Sequence, residues 1–372
     1  MVKKSSGRDP RAQPGQNQGL KTAVAMLTKG LHISNKRSWI SFVTVSLKTQ
    51  KILWGKAAGR CAMPACRRQL VEHISETDDP TIVGENCHIV AENDGGPRSE
   101  PTMSVNDRNR YANLVLLCNV DHKIVDDNEA IWTADAMKVL KAEHEAWVEG
   151  SLGLDKMKLR DETTYAEYVD EWVRLAHLNE WREWSSWVLG GDQPQICTSV
   201  DKDLSILRRW LLGRVWPNRY PSLENAFGNF ARVLEDFQLT LHKYIEPRNE
   251  DDWLCTHKFY RIDQWDETLY FKLLVKYEFH VDIVCDLMLE LTRASNLVCH
   301  EVRRHVAHGF RLTEGNLIVQ RGPDETLRVV EFVPHYSQEE AALVTPYPGL
   351  PKFFDDRGNR DRVIGNGKPS EI

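Results

Sequence analysis

Cys61 and Cys66 have four residues between them, and Cys118 is followed three residues later by Asp121. Two closely spaced ligand pairs on two separate turns are the pattern of a structural zinc knuckle. Three thiolates favour zinc over harder ions, and an aspartate oxygen is a chemically allowed fourth ligand. The alternative is that Cys61 and Cys66 are small buried hydrophobes. A second set is formed by His88, His122 and Asp126. Residues four apart lie on one face of a helix, about 5–6 Å between Cβ atoms, so the imidazole of His122 and the carboxylate of Asp126 can share one cation. A histidine on a facing strand is then placed to take a proton from a water beside that cation.

Such a meeting needs two strands, a loop and a helix. Residues 60–130 alternate short apolar runs with turn-forming stretches: ENCHIVAE, then NDGGPRSEPTMSVNDRNR, then YANLVLLC. The apolar runs read as strands and the middle as a long loop, of a length that is usually functional. From Val120 the pattern turns helical, so His122 and Asp126 fall on a helix, and Ala134–Glu149 reads as a second, amphipathic helix. Arg98, Arg108 and Arg110 lie in the loop. Each is either a solvated charge or a phosphate anchor, since arginine can grip phosphate in a bidentate, charge-assisted manner. Arg98, between Pro97 and Ser99, is the first choice as anchor.

Cys61-x4-Cys66, Glu85-Asn86-Cys87-His88-Ile89-Val90-Ala91-Glu92, Gly95-Gly96-Pro97-Arg98, Asn113-Leu114-Val115-Leu116-Leu117-Cys118 and His122-x3-Asp126 together resemble an HNH endonuclease. The resemblance covers roughly residues 50–149 and implies a ββα-metal finger. It implies that His88 is the general base and that Asn113 braces the loop orienting the strand of His88. His122 and Asp126 would bind a catalytic divalent cation, Mg²⁺, Mn²⁺ or Ni²⁺. Cys61, Cys66, Cys118 and Asp121 would hold a structural Zn²⁺. Two positions depart from the commoner pattern of the family. Cys87 stands before the base where relatives often carry an Asp or His ligand; a thiolate suits soft ions better than Mg²⁺, so Cys87 is either an extra ligand or none. Asp121 stands where relatives usually have Cys or His. The expected partner is DNA, held in part by Arg98 and Arg108. Fingers fused to helical modules also resemble HNH nucleases of bacterial anti-phage defence, the type II Zorya nucleases among them, so other defence-system subunits are a second class of partner. The rival reading is a catalytically silent finger serving as a nucleic-acid-binding or sensor subunit.

The expected class is α+β: a zinc-braced ββα-metal finger followed by a mainly α-helical C-terminal domain with a small β addition. The boundaries read as a basic, disordered leader over 1–40, the nuclease domain over 41–150, a helical regulatory or targeting domain over 155–345, and an irregular tail over 346–372. In the helical part, Tyr165–Leu189 carries Trp172, Trp181, Trp184 and Trp187, and Leu204–Trp216, Leu223–Tyr244 and Tyr277–His308 read as helices, with β structure within 310–334. It shows no phosphate loop and no nucleophile–base pairing.

Residues 1–60 carry twelve Lys or Arg and one acid, Asp9, whereas the 372-residue chain has a formal net charge of −6. Such asymmetry suits an arm that could reach a polyanion, or a solvated leader. With 27% charged residues and 41% hydrophobic ones, the composition is that of a globular protein. No apolar run is long enough to span a bilayer. The N-terminus lacks the apolar stretch of a secretory signal, and eight cysteines in so long a chain do not read as a disulfide framework. The expected location is cytoplasmic, with reduced thiols.

Overall fold

Ser46 opens the first described helix, α1 (Leu47–Lys56), its hydroxyl accepting the Thr49 amide at 3.1 Å. It satisfies one of the donors left without an intrahelical partner. The structure is a computed structural model that describes residues 45–72, 81–152, 155–191, 193–248, 252–322 and 328–356. The expected leader over 1–40 lies outside the described residues. Two short strands, β1 (Val71–Glu72) and β2 (Thr81–Ile82), pair antiparallel. β3 (Gly84–His88) follows, then a loop that contains the short helix α2 (Val105–Arg108) and a 3₁₀ turn over Tyr111–Asn113. β4 (Leu114–Cys118) is buried at every position, as its unbroken apolar run requires. It pairs antiparallel with β3, placing Val115 opposite Cys87 and Leu114 opposite His88. Cys118 then caps α3 (Asn119–Asp127), and Thr133 caps α4 (Ala134–Ser151). A hairpin followed directly by a helix is the local arrangement that the strand and helix patterns predict.

The second half is helical with small sheets, so the chain is α+β. α5 (Lys156–Leu175) ends where His177 adopts the left-handed region at φ 51°, and α6 (Trp181–Leu189) begins after a 3₁₀ turn. This break divides the tryptophan-rich segment. Trp172, Trp181 and Trp184 are buried, but Trp187 is 48% exposed. Six residues along a helix is about 120° away from the starting face, so Trp181 and Trp187 cannot share one stripe. Next come β5 (Gln195–Cys197), α7 (Thr198–Leu212), α8 (Pro221–His242), β6 (Ile245–Pro247) and β7 (Trp253–Thr256). The sheet β5-β7-β6 went unanticipated because strands of three or four residues are too short to display alternation. α9 (Glu267–His305) starts ten residues earlier than the periodicity suggests, at an Asp266 cap on the Leu269 amide. β8 (Val319–Arg321) and β9 (Val330–Phe332) supply the expected β addition. α10 (Gln338–Ala341) and α11 (Leu350–Asp356) close the described chain. The expectation of an irregular tail from 346 is corrected over Leu350–Asp356, while 357–372 lies outside the described residues.

Two apolar cores result, one around β3, β4 and α3, and one among the later helices. They meet on α1. Leu53 belongs to the first core and Leu47 to the second. The described residues form one compact unit. The two carboxylate oxygens of Asp170, on α5, accept the Leu47 and Lys48 amides at 2.8 and 2.9 Å. Lys51 and Glu162 add an ion pair at 3.0 Å. At its other end α1 reaches β3, where the Trp54 indole donates to Asn86 Oδ1 at 3.0 Å. A fragment ending near Gly150 therefore uncovers one face of α1 and its cap. Asp170→Ala is expected to lower stability by about 1–2 kcal/mol, the worth of a helix cap. A urea midpoint equal to that of the parent protein would mean that water replaces the carboxylate.

Candidate metal centres

The turn after α1 brings Cys61 and Cys66 together. The Cys61 amide donates to Arg68 O and the Cys66 amide to Met63 O, each at 3.0 Å. Cys118 and Asp121 come from the other side, at the junction of β4 and α3, where Cys118 Sγ accepts the Asp121 amide at 3.4 Å. One ligand atom from each of Cys61, Cys66, Cys118 and Asp121 lies within 4.8 Å of all the others, so the group could hold a metal ion. That separation suits a tetrahedral ion with sulfur ligands at about 2.3 Å, whose sulfurs stand about 3.8 Å apart. Cys61 is fully buried. Its thiol and that of Cys118 donate to Asp121 Oδ2 at 3.0 and 3.1 Å. Burial pushes both thiols above their ordinary range; the Asp121 amide works against this at Cys118, and the Asp121 carboxylate adds to it at both. Burial also works to raise the Asp121 carboxyl, but hydrogen bonds from Cys61, Cys118 and Cys66 outweigh it and hold the group below the usual carboxylate range.

The second group is Cys87, His122 and Asp126, again with ligand atoms all within 4.8 Å. His122 and Asp126 face each other one turn apart on α3, with Nε2 3.3 Å from Oδ2. His122 Nδ1 meets Glu85 Oε2. Glu85 and Cys87 lie on the same face of β3, because side chains of a strand repeat every two residues. Cys87 is buried, and its thiol is pushed up to about 12 by that burial first and by neighbouring Asp126 second. It donates weakly to the His88 carbonyl at 3.7 Å.

His88, the next residue, is the last of β3. Its Nε2 is 3.0 Å from Asn109 Oδ1. An amide oxygen only accepts, so in the neutral ring this contact places the N–H at Nε2 and leaves the lone pair on Nδ1. Asn113 is buried and fully bonded: Oδ1 accepts the Val90 amide, and Nδ2 donates to Val90 O and Arg108 O, each at 2.9 Å. With the Ile89 amide on Asn113 O at 2.8 Å, this residue ties the end of β3 to the start of β4.

The two arginines expected as phosphate anchors are turned inward. Arg98 is 4% exposed at its side chain. Its Nε donates to Ile89 O at 2.7 Å, Nη1 to Val125 O at 2.9 Å, and Nη2 to His88 O at 3.2 Å and to Asp126 Oδ1 at 2.6 Å. It locks β3 to α3, which compensates for holding a non-glycine residue at φ 55°. Arg108, 5% exposed, donates to Met103 O, Glu92 O and Glu100 O and pairs with Asp94 at 2.5 Å. A buried guanidinium needs acceptors for its five N–H groups, and the carbonyls of the long loop supply them. Arg110 stays outward, pairing with Asp107 at 3.1 Å. Two residues escaped the sequence reading. Glu85 carried a usable signal, its two-residue spacing from Cys87; Asn109 carried none.

Among the described residues no helix is long and apolar enough to cross a membrane. No protein-family model matches the chain, and no curated protein matches it.

Proposed function

We propose that this protein is a metal-dependent endonuclease of the HNH type that hydrolyses DNA phosphodiester bonds. The observation that carries the reading is two separate metal-ligand groups at one hairpin–helix unit: Cys61 and Cys66 from the turn after α1 meeting Cys118 and Asp121 at the β4–α3 junction, and His122 with Asp126 on α3 beside Cys87 of β3. The donor chemistry suits Zn²⁺ in the first group, where sulfur dominates. In the second, the imidazole of His122 and the carboxylate of Asp126 suit Mg²⁺, Mn²⁺ or Ni²⁺. A cation held there by His122 and Asp126 would supply positive charge that stabilises the phosphate and the leaving oxygen.

His88 does the proton chemistry. Its Nδ1 lone pair removes a proton from a water as that water's oxygen bonds to phosphorus and the 3′-oxygen departs in line, taking a proton from solvent. Asn109 keeps the ring in the required tautomer. Asn113 and Arg98 hold the strand end so that the base is positioned beforehand. The helical half would restrain or aim this unit through α1, as fits a cytoplasmic effector of bacterial anti-phage defence working with other subunits. One observation favours the rival reading of a silent, DNA-binding finger: Arg98 already neutralises one oxygen of Asp126.

The test is supercoiled plasmid with Mg²⁺, Mn²⁺, Ni²⁺ or EDTA. Nicked or linear product is expected with metal only, and His122→Ala is expected to lose activity at low metal concentration and recover part of it at high concentration. Plasmid that is retarded in a gel but stays supercoiled with every metal would establish the silent finger instead.

A further inference from the structure

The His122 ring lies between two carboxylates, with Glu85 at Nδ1 and Asp126 at Nε2. A neutral imidazole has one N–H and one lone pair, and only the lone pair can bind a metal. The two carboxylates are unequal as acceptors of that N–H. Asp126 is already paired with the buried Arg98 at 2.6 Å. Glu85 has no Lys or Arg partner among the described residues, so its charge is free to draw the proton. Nor is Glu85 itself part of the group formed by Cys87, His122 and Asp126, because it sits on the other side of the ring.

We infer that Glu85 is a positioning residue for metal binding: its carboxylate accepts the His122 Nδ1–H, fixing the ring and leaving the Nε2 lone pair turned toward Asp126. This rests on the reading of His122 and Asp126 as ligands of the divalent cation. Carboxylates in this relation to a ligating histidine raise its basicity and remove its rotational freedom, and their loss weakens metal binding by about 10–100-fold. It also gives β3 a second role. The strand that ends in the base also carries, three residues earlier, the group that orients the metal ligand.

The experiment uses the zinc-loaded full chain and Mn²⁺ as probe, with free Mn²⁺ read by electron paramagnetic resonance. Glu85→Ala is expected to weaken Mn²⁺ binding about 10–100-fold with unchanged zinc content. Glu85→Gln is expected to keep most of the affinity, because its amide oxygen accepts the same Nδ1–H. In ¹⁵N-histidine spectra of the Mg²⁺-loaded protein, the signal assigned through His122→Ala should show Nδ1 protonated and Nε2 unprotonated. Wild-type affinity in Glu85→Ala, or an equal loss in both Glu85 variants, overturns the inference; the second result would make Glu85 a direct ligand. Unchanged Mn²⁺ binding in Asp126→Ala would instead overturn the ligand reading beneath it.

Discussion

Replacing His88 by alanine is expected to lower the rate of plasmid cleavage by about 10²–10⁴-fold, the worth of a general base, with zinc content and melting temperature unchanged. The fold should tolerate the change. His88 is half-buried at the last position of β3, and this strand end is held by backbone atoms, Asn113 and Arg98, the imidazole adding only its contact with Asn109. Asn109→Ala is expected to fall between the two proteins, because the ring remains but loses the contact at Nε2 that fixes its tautomer. Initial rates of supercoiled plasmid loss, at metal concentrations spanning the binding curve, check both. A His88→Ala protein that cleaves at the wild-type rate removes His88 from the mechanism, whatever the metal does.

Cys66→Ser is expected to act through folding. A structural zinc site contributes about 10–16 kcal/mol of apparent binding energy in small domains, and removing one of the three sulfurs gives up a large part of it. Elemental analysis should show the loss of the zinc, and the melting transition should fall. The damage should concentrate in the first core, since Cys61 and Cys118 are buried in it and Cys118 also caps α3, the helix of His122 and Asp126. The cation site should thus weaken as a secondary effect, whereas His122→Ala should leave zinc in place. Well-folded wild-type protein that contains no zinc would refute the knuckle and leave Cys61, Cys66 and Cys118 as core thiols.

The parts of this architecture that could be read from the residues alone are those in which a short spacing is itself a geometry. Cys118 and Asp121 share a helix start, and His122 and Asp126 share a helix face, because one helical turn fixes both relations. The paired strands were legible for a similar reason: the run Leu114–Cys118 has no polar residue to face water. The tertiary structure decided which groups those elements meet. Asp170 caps α1 from 122 and 123 residues away, Glu85 meets His122 across 37, and Asn109 reaches His88 across 21. Arg98 and Arg108 gave the same local impression as any loop arginine, yet both end inside, because the loop folds its carbonyl groups around them. A carbonyl acceptor exists at every residue, so no residue type marks the ones a guanidinium will find; only the path of the chain does.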